Sequence, residues 1–146
     1  MKLTTKGKYG LRVMLELAMN YGGGPILVDS IAKRQEISGN YIHVLVTALR
    51  NAGLVRTTRG PGGGYELRQA PEEVSVLQII EALEGKELAG ECVDDADASH
   101  LVSAATVRDL WCEVFEMVED FLSRQTLADL VKKQRAVQEA QVMYYI

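Results

Sequence analysis

Arginine and glycine meet in residues 56–69, Arg-Thr-Thr-Arg-Gly-Pro-Gly-Gly-Gly-Tyr-Glu-Leu-Arg-Gln. Four glycines and a proline fill positions 60–64, with Arg56 and Arg59 before them and Arg68 after. Glycine removes the Cβ that keeps a backbone away from a ligand, and arginine offers a fork of donors suited to phosphate oxygens. The stretch therefore implies phosphate chemistry, on a nucleotide or on a nucleic acid backbone. A nucleotide cradle needs the glycines to open a helix, usually with a lysine and a Ser/Thr after them. Here they run into Tyr65-Glu66-Leu67-Arg68, a strand-like segment, and no Gly-Lys-Ser/Thr follows. The strand-to-helix setting of a dinucleotide fingerprint is missing too. A nucleic acid backbone is the remaining phosphate.

A second, sparser set could do metal or thiol chemistry: Cys92, His100 and Cys112. Two cysteines and a histidine could hold a metal ion, and two thiols could form a reversible disulfide. A lone cysteine on an apolar helix face, as Cys112 is, more commonly just packs. With two histidines, two distant cysteines and no nucleophile beside a base, the chain is not expected to be an enzyme.

Charge sharpens the first of these readings. Residues 1–68 carry ten Lys/Arg and four Asp/Glu, whereas residues 69–146 carry six and sixteen, so a net charge of −4 conceals a basic half. A basic half on an acidic chain suits a polyanion partner for that half alone, although a solvated face would look the same. No apolar run reaches the length of a membrane span and the first residues lack a signal core, so a soluble, cytoplasmic protein with reduced cysteines is expected.

The elements that must position these residues follow from periodicity. Tyr9, Val13, Leu17 and Tyr21, flanked by Leu11, Met14, Leu15 and Ala18, predict a first helix ended by Gly22-Gly23-Gly24-Pro25. Residues 28–36 predict a short second helix capped by Asp29 or Ser30, with Ile31 and Ala32 inward. Ser38 or Asn40 caps a third, whose buried face is Ile42, Leu45, Val46 and Leu49 and whose closing residue is Gly53. Residues 54–58 and 64–68 read as a hairpin around the glycine-rich turn. A capped helix from Ser75 to before Gly85 follows, then an acidic loop, and a long helix over 102–124. Leu110, Val114, Met117, Val118 and Phe121 give that helix an apolar stripe, with Trp111, Phe115 and Leu122 beside it. A shorter helix capped by Thr126 ends the chain with an apolar tail, Val142-Met143-Tyr144-Tyr145-Ile146, expected to dock on this or a neighbouring chain. The expected fold is mainly α with a small β-hairpin wing.

Two short helices and a hairpin in this order make a winged helix-turn-helix, with the third helix entering a major groove and the wing beside it. Arg59 at the wing tip could then enter a narrow minor groove. The competing readings are an exposed hairpin that only stabilises the sheet, which would not require so many glycines, and a winged-helix protein-interaction module without specific DNA readout.

The segments LTTKGKYGLRVMLELA, ISGNYIHVLVTALRNAGLVRTTRGPGGGYEL and LEG resemble the Rrf-two family of bacterial winged-helix regulators across almost the whole chain. The terminal MYYI looks most like its CymR branch, the cysteine-metabolism repressors, and IscR-like members are iron–sulfur cluster regulators. The resemblance implies a transcriptional regulator, expected to repress, acting as a homodimer paired through the long helix on a partly palindromic operator. It divides the chain into a DNA-binding domain over 1–84, an acidic sensor or linker loop over 85–101, and a dimerisation helix with a C-terminal helix and tail over 102–146. Double-stranded DNA is the expected partner. The base-reading positions it implies, at the start of the third helix, are Ser38, Asn40, Tyr41 and His43, Ser38 and Asn40 also having a structural reading as caps. Lys2 and Arg50 are candidate phosphate contacts by their charge, and Arg59 and Gly60 are the DNA-contacting candidates at the wing tip. Relatives place a glutamate where His43 stands; as a donor, histidine suits guanine N7 or O6 better than cytosine N4.

On the sensor side the resemblance departs. The family's three-cysteine cluster site keeps only Cys92 here, with Ser99 and Ala105 where the other two would fall. A two-cysteine variant needs ligands where Lys8 and Arg12 stand. Cys92, His100 and Cys112 stay candidates for a metal, an iron–sulfur cluster or a disulfide. The leading expectation is no cofactor, with a protein effector of the kind the CymR branch uses, a cysteine-biosynthesis enzyme.

Overall fold

A computed structural model describes residues 4–86 and 100–145 of the chain. Its elements run α1 (Thr5–Met19), α2 (Val28–Gln35), α3 (Gly39–Asn51), β1 (Val55–Thr58), β2 (Gly64–Leu67), a 3-10 turn (Pro71–Glu73), α4 (Val76–Glu84), α5 (Val102–Arg124) and α6 (Leu127–Tyr144). Lys2, Cys92 and most of the acidic loop lie outside the described residues.

The core follows the apolar periods. Val13, Met14, Leu17 and Ala18 of α1 meet Ile31 of α2, the Ile42, Leu45, Val46 and Leu49 face of α3, and Ile79 and Leu83 of α4. Each of the four α3 side chains is fully enclosed, and burying such a side chain stabilises by about 1.5–3 kcal/mol. The expected inward face of α3 is therefore the observed one. Tyr21, expected to extend the α1 stripe, lies beyond the helix end and is half exposed.

Helix starts separate two kinds of N-terminus. Ser38 caps α3, its Oγ accepting from Tyr41 N–H at 3.2 Å. Ser75 and Gln78 form a reciprocal box at α4, as do Thr126 and Asp129 at α6. The α2 expectation is corrected: Leu27, in extended conformation, holds the cap position without a side-chain bond. Asp29 instead sits in the first turn, where its charge complements the helix dipole.

β1 and β2 pair antiparallel, Val55 opposite Leu67 and Thr58 opposite Gly64. The turn between them carries a Gly63 N–H to Gly60 C=O bond of 2.9 Å around Pro61 and Gly62, the latter at φ +75°. Proline then glycine at positive φ is the signature of a type II turn. On its other edge β2 exchanges two 2.8 Å backbone bonds with Ile26, which makes a third rung on the sheet. A Cβ on Gly64 would lie 2.3 Å from the Ile26 carbonyl oxygen, so close approach of this backbone demands glycine there.

α6 departs from expectation. It continues unbroken from Leu127 to Tyr144, because Gln138-Glu139-Ala140-Gln141 are good helix formers and no glycine or proline intervenes. Its first turns join the core through Leu127 and Val131. Val142, Met143, Tyr144 and Tyr145 at its far end are exposed, so the tail does not dock on its own chain. α5 has no buried residue along its 23 positions.

Candidate nucleic-acid interface

α2 and α3 are joined by three residues, Glu36 to Ser38. Glu36 takes the left-handed conformation (φ 55°) that turns the chain sharply, and Ile37 is buried beneath the turn. This fixes the angle at which α3 leaves α2. Because Ile42, Leu45, Val46 and Leu49 anchor one side of α3, Asn40, His43, Thr47 and Arg50, spaced by three, four and three residues, share the exposed side. Thr47 was not anticipated, although its spacing from His43 was available in the sequence; its hydroxyl donates to the His43 carbonyl at 2.6 Å.

Two expected contact residues have local duties as well. Ser38 spends its Oγ on the helix cap. Tyr41 is half-buried, its ring edge-on to Tyr9 at 6.0 Å between centroids, while the Arg12 guanidinium lies 5.1 Å over the other ring, a cation–π distance. Arg12 also donates to both the side chain and the backbone carbonyl of Gln35 at the end of α2. α1 thereby holds the helix-turn-helix from behind.

The wing stands beside α3. Tyr65 on β2 places its hydroxyl 3.5 Å from His43 Nδ1, with the two rings edge-to-face at 6.4 Å. Arg56 is paired across the sheet with Glu66 at 2.8 Å, which removes it from the set of uncommitted cations. Arg59 and Gly60 are exposed at the tip. Among the described residues neither Arg50 nor Arg59 forms an ion pair, so both charges remain available. The glycines carry less functional information than their number suggests. Gly62 serves the turn, and Gly63 and Gly64 serve close backbone approach within the hairpin and to Ile26. The arginine at the tip, not the glycine run, is the feature the hairpin itself does not require.

Of the sensor candidates, His100 and Cys112 are described, and the two are not brought together. His100 is exposed just before α5, and Cys112 is half-buried within it. Ten residues of α-helix advance about 15 Å, too far for the two side chains of one chain to share an ion. Among the described residues no group of three or more His, Cys, Asp or Glu could hold a metal. Cys92 lies outside them. Arg12, standing where a cluster ligand would be needed, is engaged with Gln35 and Tyr9. The described residues therefore do not by themselves supply a ligand set for a cluster. No helix among the described residues is long and apolar enough to cross a membrane.

A helix-turn-helix braced by α1, with a hairpin wing beside its second helix, defines the winged-helix class of DNA-binding regulators. Residues 3–133 match the Rrf2 (Rrf-two) family, described as an iron-dependent transcriptional regulator, and the chain belongs to that family. It is 39% identical to the transcriptional regulator CymR of Bacillus subtilis over 144 residues, covering 99% of each chain. The solved structure of that protein, the global cysteine regulator of B. subtilis, superposes with a TM-score of 0.77 at 38% identity, covering 91% of this chain and 98% of the other. IscR of T. potens gives a TM-score of 0.76 at 36% identity, covering 94% and 91%. An oxidised form of Staphylococcus aureus CymR gives 0.71 at 40%, covering 90% and 96%.

Proposed function

We propose that this transcriptional regulator acts as a homodimer, paired through α5, on a partly palindromic operator, and that it represses. The observation that carries the DNA assignment is the exposed row Asn40, His43, Thr47 and Arg50 on a helix whose opposite side is wholly consumed by the core, beside a wing tipped by Arg59. Phosphate contacts come from Lys2, Arg50, Arg59 and the Gly60 backbone, with Ser38 and Tyr41 at the helix entrance. Asn40 and His43 reach base edges, asparagine suiting adenine and histidine suiting guanine. The dimer is supported by Leu110, Trp111, Val114, Met117 and Phe121, all exposed on α5 in the single chain. Two half-sites one helical turn apart would then meet two copies of α3.

The regulated genes are proposed to be those of cysteine, sulfur or iron–sulfur metabolism, following the relatives named above. A protein co-regulator of the cysteine-biosynthesis class suits this chain better than a resident cluster, since His100 and Cys112 of one chain are too far apart to share an ion and Arg12 is already engaged. Duplexes selected from a randomised pool test the assignment. Strong preference for the selected duplex over a scrambled one, weakening steeply with salt, supports it. Binding indifferent to sequence would instead support the protein-interaction module.

A further inference from the structure

His43 and Tyr65 come from different elements yet meet side by side. We propose that Tyr65 is a positioning residue that fixes the tautomer of His43 and so decides which base edge that histidine accepts. This rests on the base-reading role of α3 given above. The geometry is set from both sides. Two backbone bonds of 2.8 Å each to Ile26 fix the Tyr65 main chain within the sheet, and its ring packs edge-to-face on His43. His43 is placed by α3, whose backbone at that residue also receives the Thr47 hydroxyl. The phenol oxygen and Nδ1 lie 3.5 Å apart, at the outer edge of hydrogen bonding, and the rings pack edge-to-face.

The chemistry gives this contact a direction. A neutral imidazole has one N–H and one lone pair, and whichever nitrogen is engaged decides what the other presents. A phenol is a strong donor and an indifferent acceptor, so it donates to the Nδ1 lone pair. The ring hydrogen is then on Nε2, at the opposite edge of an exposed side chain. His43 so held is a donor toward a groove. It suits guanine N7 and O6 and is mismatched with the N4 amino group of cytosine. Without the phenol hydroxyl both tautomers become available and the distinction weakens.

Tyr65→Phe removes the hydroxyl and keeps the ring, the strand and the bridge to Ile26. Two measurements test the proposal. Nitrogen-15 NMR of the imidazoles reads the tautomer of His43 in the protein alone, assigned by loss of its signals in His43→Ala. Wild type should show predominantly the Nε2–H form, and Tyr65→Phe should move it toward a mixture. Binding then uses a duplex selected with the wild-type protein and the same duplex with its His43-dependent G·C pair inverted. Tyr65→Phe should lose roughly two- to tenfold in discrimination between them, with the salt slope unchanged. In a His43→Ala background it should change nothing further, as a residue acting through another must. An unmoved tautomer, or a loss that adds to that of His43→Ala, overturns the proposal. A tautomer that shifts in a protein showing no sequence preference overturns the base-reading role beneath it.

Discussion

α3 and α5 are both amphipathic helices, yet they meet opposite fates. The thirteen residues of α3 enclose four side chains completely, whereas the twenty-three of α5 bury none. Apolar residues recur on both, so pattern alone does not distinguish a face covered by its own chain from one covered by another. The difference lies in company. α3 is surrounded by α1, α2, α4 and β1, while α5 packs mainly on α4 and projects Met117 at 71% exposure and Phe121 at 59%. A contiguous exposed apolar stripe of this length marks an association surface. One helix is proposed to belong to the reading head, and the other to set the spacing between two heads.

Substitutions on the two helices should accordingly fail in different ways. Replacing Met117 and Phe121 together with lysine should leave the unfolding transition of the chain near wild type but yield monomers by sedimentation velocity. Affinity for a two-half-site duplex should then fall on the order of 100-fold or more, the loss expected when two linked binding events become separate. Unfolding of the variant chain, or a persistent dimer, would break the contrast. Leu45→Ala on α3 should do the converse, lowering urea stability by about 2–5 kcal/mol through an unfilled cavity while leaving self-association intact.

Smaller effects are expected within the reading head itself. His43→Ala should cost about 1–3 kcal/mol on a selected duplex and little on a scrambled one, measured by fluorescence anisotropy. Arg59→Ala should weaken both duplexes similarly and lower the salt slope by roughly one. The smallest effect concerns α6. Asp129 accepts from the Thr126 backbone N–H and side chain, which holds its carboxyl below the ordinary value. A carboxyl depressed in the folded state stabilises above its unfolded pKa, and that contribution disappears as pH falls through the folded one. Asp129→Asn should therefore lower the melting temperature slightly at neutral pH and converge with wild type in acid.

Much of this was legible in the sequence, and the exceptions share a cause. Spacings of three and four named the buried face of α3, and Ser38, Ser75 and Thr126 declared their caps by residue type. The long helix kept its expected bounds, 102–124. What local pattern could not show was pairing at a distance. The Ile26–Tyr65 bridge, the Arg56–Glu66 pair and the Tyr65–His43 contact all join residues ten or more positions apart. The glycine run misled for the same reason, since Gly64 answers to the Ile26 carbonyl, which sequence spacing does not reveal. α6 was foreshortened because its apolar end suggested a docked tail, although its helix formers continue through it.

α3 and the wing are proposed to read DNA sequence. The most direct test is the ratio of affinities of the full chain for a duplex selected in vitro and a scrambled duplex of equal length, followed across salt. A preference of about a thousandfold or more is expected, with both affinities falling as salt rises. Equal affinity for the two duplexes at every salt concentration would contradict it.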